Sequence, residues 1–275
     1  MSVQEEWNLV VSGISQILGL IYVLLAFPVI AGLWYKGKMT RTIVFLFLFI
    51  TAGLGFLIFS PMAPYQVQQA ITGGGPGPGS PLLIVIVFMV ILLVLTFVSG
   101  RIFCGQLCPV GAVQELIYTD PKQKTNAAQK RVIMVIRFIY FIMFLAAGLL
   151  FSVSLLRFFG IKEFFYLDFN APFFSVFVIL IAISLFFYRP FCRFFCPVGV
   201  LLSLAAAKSQ FKFRRTDACI QCGACERACP VAEAGAGDAK MECYVCGRCI
   251  RACPTKGALI YSRENVGTKK ESRHE

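Results

Sequence analysis

The stretch that decides the reading is CIQCGACERACP (residues 219–230), followed after residues 231–242 by CYVCGRCIRACP (residues 243–254). Two copies of C-x2-C-x2-C-x3-C-P are the sequence form of a pair of cubane iron–sulfur sites. Three closely spaced thiolates wrap one cluster, and the fourth reaches across to the other. Cys219, Cys222, Cys225 and Cys253 are thereby assigned to one [4Fe-4S] cluster, and Cys243, Cys246, Cys249 and Cys229 to a second. A pair of four-cysteine zinc sites is the competing reading, but zinc has no use for two four-membered runs each closed by Pro. Residues 209–262 are therefore expected to form a small α+β bacterial-type 2[4Fe-4S] ferredoxin domain. Leu259, Ile260 and Tyr261 would close it, and residues 263–275, with His274, would be a mobile tail.

Outward from this block the composition changes. Of the 275 residues 58% are hydrophobic and 15% charged, against about 25% charged in soluble domains. Apolar runs long enough to cross a bilayer core of about 30 Å recur at about 10–34, 42–59, 82–99, 132–156 and 172–188. The expected architecture of residues 1–208 is an all-α polytopic membrane domain of about five transmembrane helices. The first run lacks a basic flank and a small-residue cleavage site, so it reads as a retained span. The uncharged, glycine-rich stretch within 61–81 reads as a flexible loop; no Lys-Ser/Thr follows that would make it a phosphate cradle.

Lys and Arg outnumber Asp and Glu by 26 to 14, a net charge of +12. The basic residues flank the apolar runs, so they read as topology signals rather than a nucleic-acid surface. They put the 36–41 turn, the 101–131 connector and everything after residue 189 on the cytoplasmic side. An N-out, C-in protein of the cytoplasmic membrane is expected, with its ferredoxin domain in the cytoplasm. Lys208, Lys212, Arg214 and Arg215 would lie against anionic lipid.

The chain also repeats itself. RIFCGQLCPVG (101–111) and RPFCRFFCPVG (189–199) share R-x-F-C-x3-C-P-V-G at an offset of 88 residues. Both copies follow a span leaving on the same side, so the repeat is expected to be parallel. If helical, the C-x3-C step puts both sulfurs on one face, and the following Pro suits a helix restart. Cys104, Cys108, Cys192 and Cys196 could build a four-thiolate site for a third iron or iron–sulfur centre. The alternatives are two dithiol–disulfide pairs and plain packing, since Cys is a small hydrophobe. Packing alone would accept Ala or Ser.

Spans, twin C-x3-C-P motifs and two C-terminal four-Cys runs together resemble the NapH/MauN-type membrane ferredoxins (polyferredoxins) and the membrane half of NosR-type proteins. Those families have four spans where five are read here. The resemblance implies an integral-membrane electron-transfer subunit relaying electrons between cytoplasmic or quinone-pool donors and a partner redox protein, of quinol dehydrogenase type rather than a stand-alone enzyme. The alternative is an assembly or regulatory factor that supplies electrons for maturing a metalloenzyme. No Ser/His/Asp set or paired catalytic carboxylates are found, so no catalytic residue is assigned. The lone His leaves no two-His haem site, so this chain is expected to ligate no haem. The 28 Phe read as lipid-facing bulk before they read as a quinone pocket.

Overall fold

The computed structural model describes residues 3–58, 82–119, 127–151, 153 and 155–263. The glycine-rich loop and the tail from residue 264, with His274, lie outside the described residues.

The apolar runs form helices α1 (Val3–Tyr35), α2 (Arg41–Ile58) and α3 (Leu82–Ser99). A π-helical turn (Phe103–Leu107) and a short α4 (Pro109–Ile117) precede the long α5 (Ala127–Phe151). A 3-10 turn (Leu155–Phe159), α6 (Ile161–Phe165) and α7 (Phe174–Ile183) lead to a second π-helical turn (Phe191–Phe195) and α8 (Pro197–Ala207). Strand β1 (Phe211–Arg215), α9 (Ala224–Arg227), α10 (Arg248–Ala252) and β2 (Leu259–Arg263) follow.

Among the described residues two helical segments, Leu18–Tyr35 and Gln129–Phe151, are long and apolar enough to cross a membrane; Arg41–Leu57, Val85–Ser99, Phe174–Ile183 and Pro197–Ala207 are apolar but shorter. Leu25, Phe49, Leu57, Ile142, Leu150 and Phe151 point outward and are largely exposed. So continuous an apolar exterior suits a hydrocarbon surround rather than water. The run expected to span at 172–188 holds a helix of ten residues, about 15 Å long at 1.5 Å per residue, half the bilayer core. Beyond it the Ser184 hydroxyl donates back to the Leu180 carbonyl at 3.0 Å. The chain then turns to carry Arg189, at φ +51°, into the interior. The fourth run ends its helix at Phe151 rather than near 156.

The core centres on the twin motifs, and residues 101–115 are buried throughout. Helix α2 closes on α4 at Gly55, where a Cβ would stand 2.6 Å from the Pro109 Cβ. Tyr22 and Thr51 hydroxyls are hydrogen-bonded at 2.6 Å, and Thr51 donates to the Gln106 carbonyl at 2.9 Å, tying α1 and α2 to the first π turn. Strands β1 and β2 pair antiparallel with Phe213 opposite Tyr261. This small sheet is fastened to the helical body at the ends of α1 and α3. The Trp34 ring meets Phe213 edge-on at 5.4 Å, the Tyr261 hydroxyl donates to the Ser99 carbonyl at 2.6 Å, and the Gln210 N–H donates to the Phe97 carbonyl at 2.9 Å.

Candidate iron–sulfur sites

The two C-x3-C-P motifs adopt one conformation. In each, the first Cys lies in a π-helical turn closed by an i to i−5 bond, from the Cys108 N–H to Phe103 O (2.9 Å) and from the Cys196 N–H to Phe191 O (3.1 Å). The second Cys is extended (φ/ψ −88°/120° and −79°/110°) and caps a helix whose first residue is Pro. Pro there needs no hydrogen-bond partner for its nitrogen and has the helical φ built in. The Gly199 N–H donates to the Cys196 sulfur at 3.4 Å. The pair is therefore not on one face of an α-helix, as spacing suggested. The π turn carries the first Cys, and the restart at Pro aims the second.

Cys104, Cys108, Cys192 and Cys196 are all buried, and every pair among them is close enough to interact electrostatically. Burial first, then the neighbouring thiols, push Cys108 up to about 12 and Cys196 to about 11. Such thiols are poor nucleophiles for disulfide exchange, and a metal must displace their protons to bind. Among the described residues no three His, Cys, Asp or Glu side chains could hold a single metal ion.

The repeats exchange their arginines. Arg189 of the second copy hydrogen-bonds the Cys104 carbonyl and, at 2.7 Å, the Gly105 carbonyl of the first. A Cβ at Gly111 would come within 2.6 Å of Cys104 O and 3.0 Å of the Arg189 Nη1. Conversely, Arg101 of the first copy reaches the second, where a Cβ at Gly199 would meet the Arg101 Nη2 at 3.2 Å and the Arg137 Nη2 at 2.6 Å. The Gly of each P-V-G leaves room that the other copy's arginine shares, with the Cys104 carbonyl at Gly111 and with Arg137 at Gly199. Arg101 has 0% exposure, and its guanidinium lies beside Cys104 and 3.6 Å from the Glu242 carboxylate. A buried cation beside four thiols fits an anionic occupant.

In the ferredoxin region Cys229, Cys243, Cys246 and Cys249 converge in the same way, with every pair in electrostatic contact. All four, with Cys219, line a cavity of about 700 Å³. The Glu233 N–H donates to the Cys229 sulfur at 3.3 Å. Cys219 and Cys225 both lie near Arg215, whose Nη2 is 3.6 Å from the Cys225 sulfur. Cys222 is exposed, and the Cys253 sulfur sits 3.3 Å from Thr255 O. The Cys229 set thus faces the helical body, and the Cys219–Cys222–Cys225 side faces out.

Buried ion pairs join the two parts. Glu242, just before Cys243, accepts from Arg137 and lies 3.6 Å from Arg101 and 3.8 Å from Arg193. Glu115 on α4 pairs with Arg189 at 3.0 Å and with Arg248 of α10 at 2.8 Å. Lys130 reaches Glu233 at 2.9 Å. Tyr244 lies under two guanidinium groups, with Arg101 Cζ 4.4 Å and Arg189 Cζ 4.8 Å from its ring centroid. Sequence reasoning missed Arg137, Glu242, Glu115 and Tyr244. For the arginine exchange a signal was present, since Arg and Gly recur in both copies of the motif.

A model described as a 4Fe-4S binding domain matches the chain twice, at 81–127 and 169–216, each segment holding one C-x3-C-P motif, and a second 4Fe-4S binding domain matches at 214–232. An uncharacterised protein of Methanocaldococcus jannaschii, MJ0749, is 32% identical over 70% of this chain and 77% of its own. YccM of Escherichia coli, named for electron transport, is 32% identical over 58% of this chain and 49% of its own. The regulatory protein NosR of Pseudomonas aeruginosa is 29% identical over 48% of this chain and 20% of its own. No solved structure matches. Apolar helices carrying 4Fe-4S binding motifs, alike in sequence to electron-transport proteins, define an iron–sulfur electron-transfer protein associated with a membrane. The chain belongs to the NosR/NapH-like membrane ferredoxins.

Proposed function

We propose that this chain is the integral-membrane subunit that moves electrons between a cytoplasmic or quinone-pool donor and a partner redox protein, holding three iron–sulfur centres. Cys219, Cys222, Cys225 and Cys253 hold the outer one, Cys229, Cys243, Cys246 and Cys249 the middle one, and Cys104, Cys108, Cys192 and Cys196 the innermost. When bound, such groups supply one-electron exchange and no bond chemistry. The observation that carries the reading is the direct seat of the ferredoxin loop on the first twin motif. The Gln106 side chain donates to the Val245 carbonyl at 3.1 Å, and the Tyr244 carbonyl fills the space where a Gly105 Cβ would stand.

The buried Arg101 guanidinium beside Cys104 favours an anionic centre at the twin-thiol set. Five crossings with the N-terminus outside, the fifth made by the ten-residue α7 and the irregular chain that follows it, a parallel repeat and a cytoplasmic ferredoxin domain complete the proposal. It is supported by the distribution of Lys and Arg and by the common conformation of the two motifs. A second reading, an assembly or regulatory factor, draws on the name of the relative NosR. Anaerobic protein in lipid, mixed with a reduced quinol analogue or with dithionite and an oxidised quinone, tests the first. Electron exchange with the quinone on the timescale of turnover is expected. Clusters that exchange with neither quinone nor a co-purifying redox subunit would contradict it.

A further inference from the structure

The two ferredoxin runs have the same local backbone. Gln221 and Val245 both have positive φ (53° and 51°), and Gly223 and Gly247 follow in the left-handed region (67° and 72°). The residue after the first Cys differs sharply between them. Ile220 is 66% exposed, whereas Tyr244 is 1% exposed. Loop shape therefore does not explain the aromatic; its surroundings do. Its ring lies under one arginine from each copy of the twin motif, Arg101 at 4.4 Å and Arg189 at 4.8 Å. Its hydroxyl is buried without a hydrogen-bond partner, so the ring and backbone, not the hydroxyl, hold it in place. Cation–π contacts strengthen when desolvated, which draws the ring inward despite the unsatisfied hydroxyl.

We propose that Tyr244 is the coupling contact between the thiol set built on Cys243 and the twin-thiol set built on Cys104, its ring clamped by the two exchanged arginines. The inference rests on the three-centre reading above. One electron lost on the Cys243 side is gained on the Cys104 side. No bond forms or breaks, no proton moves, and the guanidinium groups of Arg101 and Arg189 stay protonated and offset the relocated charge. Tyr244 adjoins a thiol of one set and presses its own backbone onto Gly105, next to a thiol of the other. It shortens the gap across which the electron passes between non-bonded groups.

The test uses full-length protein purified anaerobically, with Tyr244→Phe and Tyr244→Leu beside the parent. Iron and sulfide are counted first; dithionite reduction is then followed by freeze-quench EPR. Reductant enters at the exposed Cys222 side, so signals of the ferredoxin region should precede that of the twin-thiol centre. Tyr244→Leu should keep the parent's iron and slow the late phase about tenfold, equivalent to about 1.4 kcal/mol of barrier, while Tyr244→Phe keeps the parent's rate. A Leu variant with full iron and an unchanged late phase would overturn the proposal. So would a Phe variant as slow as Leu, or loss of iron from the Leu variant, which would make Tyr244 a structural residue. A parent protein without a twin-thiol centre would overturn the three-centre reading itself, and the iron count shows this before any variant is compared.

Discussion

Removing the charge of Glu242 should loosen the ferredoxin region from the helical body. The carboxylate is buried and faces three guanidinium groups, those of Arg137, Arg101 at 3.6 Å and Arg193 at 3.8 Å. At an effective dielectric near 20, one pair at that separation attracts by about 4–5 kcal/mol. Desolvation cancels much of this in the intact network, but deleting one partner of a buried pair costs about 3–5 kcal/mol because the cations stay behind uncompensated. Glu242→Gln keeps the shape and loses the charge. A cost of about 3 kcal/mol raises the undocked population more than a hundredfold at about 1.4 kcal/mol per decade. Trp34 is the natural reporter, since it packs on Phe213 and Gly247 across the same boundary. In a Trp7→Phe background it is the sole tryptophan. Acrylamide quenching of Trp34 should rise in Glu242→Gln and stay at the parent level in Glu226→Gln, whose partner Arg215 lies at the surface and whose pairing is worth about 0–1 kcal/mol. Equal quenching in Glu242→Gln and parent would refute the view that this network holds the two parts together.

Gly111→Ala should crowd the Cys104 carbonyl and Arg189, and Gly199→Ala should crowd Arg137 and Arg101, each at an overpacking cost of about 1–3 kcal/mol, and both should lower the iron content at the twin site while sparing the ferredoxin region; unchanged iron in both would remove the space argument. The Glu115 carboxyl would be raised by burial alone, but Arg189 and Arg248 outweigh this and hold it below its usual range. Its folded pKa is depressed, so its contribution to stability is full above the unfolded value of about 4.3 and is lost as pH falls through the folded one. Thermal stability against pH should therefore drop in acid for the parent and fall less steeply for Glu115→Gln. Parallel curves would count against it.

The four-cysteine runs were legible because spacing within a run is a local property. The grouping of Cys229 with Cys243, Cys246 and Cys249 follows from the run pattern, and the structure brings those four together. Most helices were equally legible, as apolar runs. The 172–188 run was not, because hydropathy registers composition and not the inward turn that buries Arg189. Tyr244, Glu242 and Glu115 act through partners 49 to 143 positions away, beyond any local pattern. The arginine exchange lies between. Its residues recur in both copies, yet which copy each arginine serves is decided only when the repeats face each other.

On the three-centre reading the twin C-x3-C-P motifs hold a centre of their own. Iron and sulfide counts with EPR on the parent protein and on Cys104→Ala test it most directly. The parent should hold more iron than the eight atoms of two four-iron clusters, falling in Cys104→Ala while the ferredoxin signals persist. Eight in both proteins, with identical spectra, would contradict it.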